Sequence, residues 1–187
     1  MSQVQKVLIT GIGGFVGSHL ADYLLEKFPE VKVLGLVRWW EPKENIKHIL
    51  SRVILRHGDL VDLPSLQTIL GEERPDVIFH LAAQSYVDFS FVAPVTTLDT
   101  NVIGTANLLE AIRKLKASSG YDPVVHIASS SECYGQVKED EVPITESNTF
   151  RPASPYAVSK VAEDMLAFQY WLSWKIKTIR TRMFTHT

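Results

Sequence analysis

The chain has 187 residues, of which 45% are hydrophobic and 21% are charged, an ordinary balance for a soluble globular domain. A formal net charge of −2 provides no basic field for nucleic acid or an anionic membrane, and no run approaches the roughly 20 apolar residues that span a bilayer. Cys133 is the only cysteine, which excludes an intramolecular disulfide and metal sites built on paired thiolates. The first ten residues lack the features of a signal peptide, so we expect a cytoplasmic protein.

Short apolar runs alternate with longer amphipathic stretches along the whole chain. The runs predict strands at Lys6–Thr10, Val31–Val37, Arg52–His57, Asp76–His80, Val124–Ser129 and Ile176–Met183. The stretches between them predict helices at about Gly14–Phe28, Leu63–Leu70, Pro94–Ala117 and Ser154–Trp174. Because strands and helices alternate with short joins, the crossovers should be right-handed and the sheet parallel. We predict an α/β fold, a doubly wound Rossmann sheet with helices on both faces and strand order 3-2-1-4-5-6.

No repeat, low-complexity tract or linker divides the chain, so we read residues 1–187 as one Rossmann domain. The polar, proline-bounded stretch from Gly135 to Arg151 predicts a long loop over the edge of the sheet. A loop of this length usually has a function.

A glycine triplet stands between the first strand and the first helix. Gly11, Gly14 and Gly17 allow a tight turn, the approach of backbone amides to a pyrophosphate, and contact between helix and strand. The helix N-terminus adds unpaired N–H groups and about half a positive charge. With Phe15 and Val16 in the same turn, this arrangement predicts a dinucleotide site, and a tight turn without a ligand is the alternative.

The end of the second strand bears on the choice between NAD and NADP. An acidic residue there favours NAD, whereas this chain has Arg38, and the first acid is Glu41. An arginine fork can pair with a 2′-phosphate, so we favour NADP over NAD; a solvated loop role for Arg38 leaves the choice open. Asp59 and Leu60 follow the third strand, where Asp59 can accept from the adenine amine or cap the next helix.

Two features place chemistry at the carboxyl ends of the later strands. Tyr156 and Lys160 are four residues apart on a predicted helix, where an ammonium beside a phenol favours the phenolate and makes it a general base. Surface packing is the alternative for this pair. Ser130 and Glu132 lie in a polar run at the end of the fifth strand. This run is either a second part of the site or a simple turn.

Together these motifs resemble the extended short-chain dehydrogenase/reductases and, within them, the GDP-mannose 4,6-dehydratases. The resemblance covers essentially the whole chain. It rests on Gly11-x-x-Gly14-x-x-Gly17, Leu81-Ala-Ala-Gln-Ser85, Asn101-x-x-Gly104-Thr105, Ser131-Glu-Cys-Tyr-Gly135 and Ser154-Pro-Tyr-Ala-Val-Ser-Lys160.

The resemblance implies conversion of GDP-mannose to GDP-4-keto-6-deoxymannose by internal hydride transfer. Tyr156, with Lys160 and Ser130, would remove the O4 proton while the C4 hydride moves to NADP⁺. Glu132 would remove the C5 proton, water would leave from C6, and the hydride would return there. Sugar-nucleotide 4-epimerases typically carry a small neutral residue at this position, so Glu132 favours a dehydratase; a salt bridge or a capping role is its alternative.

The resemblance also assigns the residues around the reacting sugar. Leu81, Ala82 and Ala83 would lie against the cofactor. Contacts with the substrate would come from Gln84, Ser85, Ser131 and Thr185. Thr185 departs from the family's asparagine, which puts the nucleotide-sugar contact there in doubt. No residue set is predicted to bind a metal.

The family continues beyond this point into a smaller domain that grips the nucleotide sugar, so we expect the chain to hold only the cofactor-binding part, truncated before that domain. We expect a homodimer or a dimer of dimers, assembled through the helix that carries Phe168, Tyr170, Trp171 and Trp174, and intramolecular packing is the alternative for these side chains.

Other functions stay open at this stage. A GDP-4-keto-6-deoxymannose reductase shares the same motifs, and a 4-epimerase is disfavoured by Glu132. A non-catalytic cofactor-sensing scaffold on the same fold is the alternative outside the enzymes. Asn101 is expected to bond loop backbone beside the site, and His80 and His126 to pack in the core rather than bind a ligand.

Overall fold

The computed structural model describes residues 4–185, which form an α/β fold around one parallel sheet. The six strands pair in the order β3-β2-β1-β4-β5-β6, which confirms the predicted topology. Their bounds are β1 Lys6–Thr10, β2 Lys32–Val37, β3 Ile54–His57, β4 Val77–His80, β5 Val124–Ser130 and β6 Lys177–Met183. Since all neighbouring pairs run parallel, the carboxyl ends of the strands share one edge.

The helices agree with the sequence prediction except around residues 87–103. They are α1 Phe15–Lys27, α2 Leu63–Glu73, α3 Val87–Val92, α4 Pro94–Leu98, α5 Gly104–Ser119 and α6 Pro155–Trp174. The single helix predicted from Pro94 is divided by a π-helical turn at Asp99–Ile103, and α3 was not predicted because six residues are too short for periodicity to show. A 3₁₀ helix at Glu44–Ile49 was also not predicted. Within residues 4–185, no helix has both the length and the apolar character needed to cross a membrane.

The two faces of the sheet bury separate apolar cores, as the alternation of side chains along each strand requires. On one face, Val7 and Ile9 of β1 pack with residues of α1 and of the 3₁₀ helix. On the other face, Leu8 packs with residues of α2, α5 and α6. Helices therefore cover both faces, which leaves the carboxyl edge of the strands free to form a cleft.

The segment from Gly135 to Arg151 is a loop, as predicted. It contains one short 3₁₀ turn, Glu139–Glu141. The guanidinium of Arg151 makes two hydrogen bonds with Glu141, at 2.7 and 2.6 Å. Arg182 of the edge strand β6 donates to the carbonyl of Glu146 at 2.9 Å. The ion pair stabilises the loop internally, and the Arg182 contact holds it against the edge of the sheet.

Candidate active-site cleft

A cleft of about 750 Å³ follows the carboxyl ends of the strands from β3 to β6. The structure brings every residue singled out by the sequence for cofactor, substrate or catalysis to this cleft. Around the glycine turn and β2–β3 these are Gly11, Gly14, Phe15, Val16, Gly17, Arg38, Asp59 and Leu60. Around β4–β6 they are Leu81, Ala82, Ala83, Gln84, Ser85, Ser130, Ser131, Glu132, Tyr156, Lys160 and Thr185.

The glycine turn has no room for side chains where the phosphates of a dinucleotide would lie. Gly11 adopts φ 72°, in the left-handed region, and a Cβ there would lie 2.9 Å from the backbone of Ala82. A Cβ on Gly17 would overlap the carbonyl oxygen of Gly11. Gly14 is the N-cap of α1, so the unpaired amides of the first helical turn face the cleft. This cradle fits a nicotinamide dinucleotide.

A buried network below the turn fixes the backbone of the cleft floor. The hydroxyl of Thr10 accepts from the amides of Leu81 and Ala82, both at 3.1 Å, and lies 2.9 Å from Nδ1 of His80. Nε2 of His80 lies 3.0 Å from the hydroxyl of Thr105, which itself donates to the carbonyl of residue 101. These partners require a neutral His80 protonated on Nε2. Complete burial, aided by the nearby Lys160, lowers the pKa of His80 to about 3 and keeps it neutral.

At the end of the cleft near β2 and β3, one cation and one anion lie side by side. Arg38 is about half exposed, and its Nε lies 3.7 Å from a carboxylate oxygen of Glu41, which also accepts from the Arg38 amide at 3.2 Å. The guanidinium lies over the ring of Trp40, 5.6 Å from its centroid. Asp59 accepts from the amide of Val61 at 3.2 Å, so its side chain caps the turn before α2 while it lines the cleft.

At the β4–β6 end of the cleft, the ammonium of Lys160 is almost completely buried. Its Nζ donates to the carbonyl of Ala128 at 2.9 Å and to a carboxylate oxygen of Glu163 at 3.0 Å. It also lies 5.9 Å from the centre of the Tyr156 ring, so the i,i+4 spacing on α6 does place cation and phenol together. Burial raises the pKa of Glu163 to about 7, despite the attraction of Lys160.

The serines after β5 have different partners. Ser129 is buried and donates to the carbonyl of Lys160 at 3.1 Å, so its hydroxyl stabilises the contact between β5 and α6. The hydroxyl of Ser130 accepts from the amide of Glu132 at 3.2 Å, which leaves its proton available to a group in the cleft. Glu132 is exposed and lines the cleft at the start of the 3₁₀ turn Ser131–Tyr134.

Gln84 lines the cleft, but its side-chain amide is engaged within the protein. Its Oε1 accepts from the amide of Tyr86 at 2.6 Å, and its Nε2 donates to the hydroxyl of Thr97 at 3.1 Å. Asn101 accepts from the backbone amide of Gln84 at 2.7 Å and donates to the hydroxyl of Ser159 at 2.8 Å. The prediction that Asn101 bonds loop backbone is therefore confirmed, and it joins the β4 loop to α6.

Comparison with known proteins identifies the relatives of this domain. A family model described as GDP-mannose 4,6 dehydratase matches residues 8–187. The chain belongs to this family. A GDP-mannose 4,6-dehydratase of Vibrio cholerae serotype O1 is 39% identical over 96% of this chain and 49% of its own length. A GDP-6-deoxy-D-mannose reductase of Pseudomonas aeruginosa is 34% identical over 97% of this chain and 52% of its own length.

Solved structures show the same architecture. The UDP-glucose 4-epimerase of Thermus thermophilus, in complex with NAD, matches with a TM-score of 0.81 and 34% identity, over 95% of this chain and 54% of that one. The chain spans about half the length of the curated relatives that it matches. The expectation of a nicotinamide cofactor is therefore supported for this member of the GDP-mannose 4,6-dehydratase family.

Two carboxylates of this family member were missed as site residues from the sequence. Glu41 was considered only as the first acid after β2, yet it lines the cleft beside the glycine turn. Glu163 is three residues after Lys160 on α6, a spacing that shares one helical face and could have identified it. Within residues 4–185, no group of three or more His, Cys, Asp or Glu side chains is arranged to bind a metal ion.

Proposed function

We propose that the full-length protein is a cytoplasmic, NADP-dependent GDP-mannose 4,6-dehydratase. The observation that supports this most strongly is the position of Glu132, which lines the same cleft as Ser130, Tyr156 and Lys160. A dehydratase needs a second base beside the tyrosine, whereas an epimerase does not. Family membership and the 39% identity to a GDP-mannose 4,6-dehydratase point to the same reaction.

Each of these side chains has a role that its surroundings support. The Tyr156 phenolate removes the O4 proton, favoured by the Lys160 ammonium 5.9 Å from its ring centre. Ser130 donates its hydroxyl proton to the same sugar oxygen. Glu132 removes the C5 proton, which the C4 ketone acidifies, and donates it to the C6 hydroxyl, which leaves as water; the proton that Tyr156 took from O4 then goes to C5. A bound nicotinamide supplies a hydride acceptor for C4 and a hydride donor for C6.

Arg38 supports NADP as the cofactor. Its guanidinium is half exposed at the end of β2, where a 2′-phosphate could accept hydrogen bonds from it. The Leu81–Ala82 backbone, fixed by Thr10, gives the nicotinamide half of the cofactor a rigid surface. Ser85, Ser131 and Thr185 line the same cleft, where the nucleotide sugar would bind.

A homodimer through α6 belongs to the same proposal. Phe168, Trp171 and Leu172 are 37 to 47% exposed on this helix, whereas Tyr170 packs in the core. The exposed side chains form an apolar face of the kind that a subunit interface covers. Sedimentation of the full-length protein would show a dimer, and a monomer at all concentrations would refute this part.

Mass spectrometry tests the reaction directly. The full-length protein is incubated with GDP-mannose and NADP⁺, and the expected product has lost one water without accumulation of NADPH. Glu132→Gln should abolish that loss because the C5 proton then has no base. If the protein instead reduces GDP-4-keto-6-deoxymannose with NADPH and removes no water, the dehydratase is excluded in favour of the reductase, the activity named for the Pseudomonas relative.

A further inference from the structure

The pair formed by Lys160 and Glu163 lies in an environment where two opposite charges are costly to bury. Their side chains are only 6% and 1% exposed, and the two charged atoms are 3.0 Å apart. Within residues 4–185, the second carboxylate oxygen of Glu163 is buried and has no hydrogen-bond partner. An ionised carboxylate with one oxygen lacking a hydrogen bond destabilises the folded protein, because burial penalises the charged form.

The geometry also shows what the carboxyl does to the ammonium. Two of the three N–H groups of Lys160 point towards Ala128 and Glu163. The ammonium is thereby held against β5, and its Nζ lies 5.9 Å from the centre of the Tyr156 ring. A negative charge beside Lys160 cancels part of the field that favours the phenolate of Tyr156.

We propose that Glu163 is a positioning residue for the chemical step: it holds the Lys160 ammonium against β5, and its charge state sets how strongly that ammonium stabilises the Tyr156 phenolate. This inference rests on the proposed role of Tyr156 as the general base. With Glu163 neutral, Tyr156 experiences a full positive charge. With Glu163 ionised, Tyr156 experiences two opposite charges whose fields partly cancel.

The surroundings leave Glu163 free to change charge near neutral pH. Burial raises its pKa to about 7, whereas burial lowers the pKa of His80 on β4 to about 3 and also lowers that of His126 on β5. Burial raises the pKa of Cys133, in the turn after β5. The other ionisable groups on elements packed against α6 are Glu132 and Tyr134 in that turn, Asp99 in the π-turn, Asp88 on α3, Glu110, Arg113, Lys114 and Lys116 on α5, and Lys177, Arg180 and Arg182 on β6.

Most of these groups are engaged elsewhere. Arg180 and Arg182 bind Asp164 at 2.6 and 2.9 Å, and Glu110 binds Arg113 at 2.7 Å. Glu132, Asp88 and Asp99 are exposed, so solvent screens their charges. The charge nearest to Lys160 that changes around pH 7 is therefore that of Glu163.

NMR of the full-length protein carrying ¹³Cζ-labelled tyrosine tests this without turnover. Tyr156→Phe identifies the Tyr156 resonance by its disappearance. In Glu163→Gln, we expect the phenolate titration midpoint of Tyr156 to fall by on the order of one pH unit, the effect of a single partly screened charge. Glu110→Gln is the matched control, because it removes a carboxylate from another i,i+3 ion pair and should leave this midpoint unchanged.

Two further readouts keep the proposal falsifiable if Glu163→Gln does not fold. In the unsubstituted protein, the Tyr156 resonance should already move slightly around pH 7, as Glu163 ionises. Glu163→Asp, which moves the charge away from Lys160, should lower the midpoint by a smaller amount. If no step appears near pH 7 and the midpoint is the same in every folded variant, Glu163 only packs and the proposal is wrong.

The same variants separate this inference from the proposed function. If the full-length protein is a dehydratase, the acidic limb of its kcat–pH profile should move to lower pH in Glu163→Gln by the same amount as the NMR midpoint. If no water is removed from any sugar nucleotide but the Tyr156 midpoint still shifts, the proposed reaction fails and the coupling stands.

Discussion

The two ends of the cleft differ in how they are built. At the β1–β3 end, the cleft is built mainly from backbone: the turn leaves no room for a Cβ at Gly11 or Gly17 and offers amides there rather than side chains. At the β4–β6 end, it rests on ionisable side chains, with Lys160 and Glu163 buried beside Tyr156. The first end should therefore govern affinity with little pH dependence, and the second should govern the chemical step and its pH dependence.

The strongest test of this contrast is Tyr156→Phe in the full-length protein. Loss of the general base should lower kcat by about 100- to 10,000-fold, while the cofactor Kd stays close to that of the unsubstituted protein because the glycine turn is intact. Turnover and fluorescence titration of NADPH measure the two effects. Tyr23→Phe, at an exposed position of α1, is the control. Equal losses in kcat and in cofactor affinity would show that the two ends are not separate.

The second test concerns the stability cost at the chemical end. The pKa of Glu163 rises from an ordinary 4.5 to about 7 on folding, so the carboxyl favours the folded state below pH 4.5, and that contribution is lost as pH rises through 7. Glu163→Gln cannot ionise. The free energy of unfolding of this variant, relative to the unsubstituted protein, should therefore increase by about 3 kcal/mol between pH 4.5 and pH 8.

Urea unfolding at a series of pH values measures this difference. Glu110→Gln removes a partly exposed, paired carboxylate and should show no such increase. A difference between Glu163→Gln and the unsubstituted protein that stays constant across the pH range would mean that the pKa of Glu163 is the same in the folded and unfolded states.

At the backbone end, Gly17→Ala tests the steric argument. The new Cβ would overlap the Gly11 carbonyl, and shifting that turn should cost about 1–3 kcal/mol, or roughly 5- to 150-fold in cofactor affinity. Gly71→Ala, in α2, is the matched control. A Cβ at this position would meet only the side chain of Leu115, at 3.7 Å. Unchanged affinity in Gly17→Ala would contradict the steric argument, and the loss should be the same at pH 6 and pH 8.

How far the sequence predicted each end follows from the same contrast. Gly11 and Gly17 identified the cradle because backbone constraints are local and glycine is their direct mark. The position of Tyr156 near the end of β5 followed from strand order, since parallel strands bring their carboxyl ends together. The burial of Glu163 did not follow, because which face of α6 is covered depends on how β5 and α5 pack against it.

The smallest expected effect concerns cofactor preference near β2 and β3. Two charged side chains line the cleft there, although the rest of the β1–β3 end is built mainly from backbone. Arg38 and Glu41 lie 3.7 Å apart beside the cleft, so a 2′-phosphate would meet both a cation and an anion. Arg38→Ala should weaken NADPH binding about tenfold and leave NADH binding nearly unchanged, the effect of one charged hydrogen bond. Glu41→Gln should strengthen NADPH binding by a few fold, because it removes the repulsion and releases Arg38.

Isothermal titration with both cofactors, at two salt concentrations, separates these effects. Lys47→Ala, which removes an exposed cation from the nearby 3₁₀ helix, controls for general charge. The difference between NADPH and NADH should shrink at high salt, since the site is open to solvent. If Arg38→Ala weakens both cofactors equally, Arg38 acts through its stacking on Trp40 rather than on a phosphate, and Glu41 becomes the group that accepts the ribose hydroxyls and favours NAD.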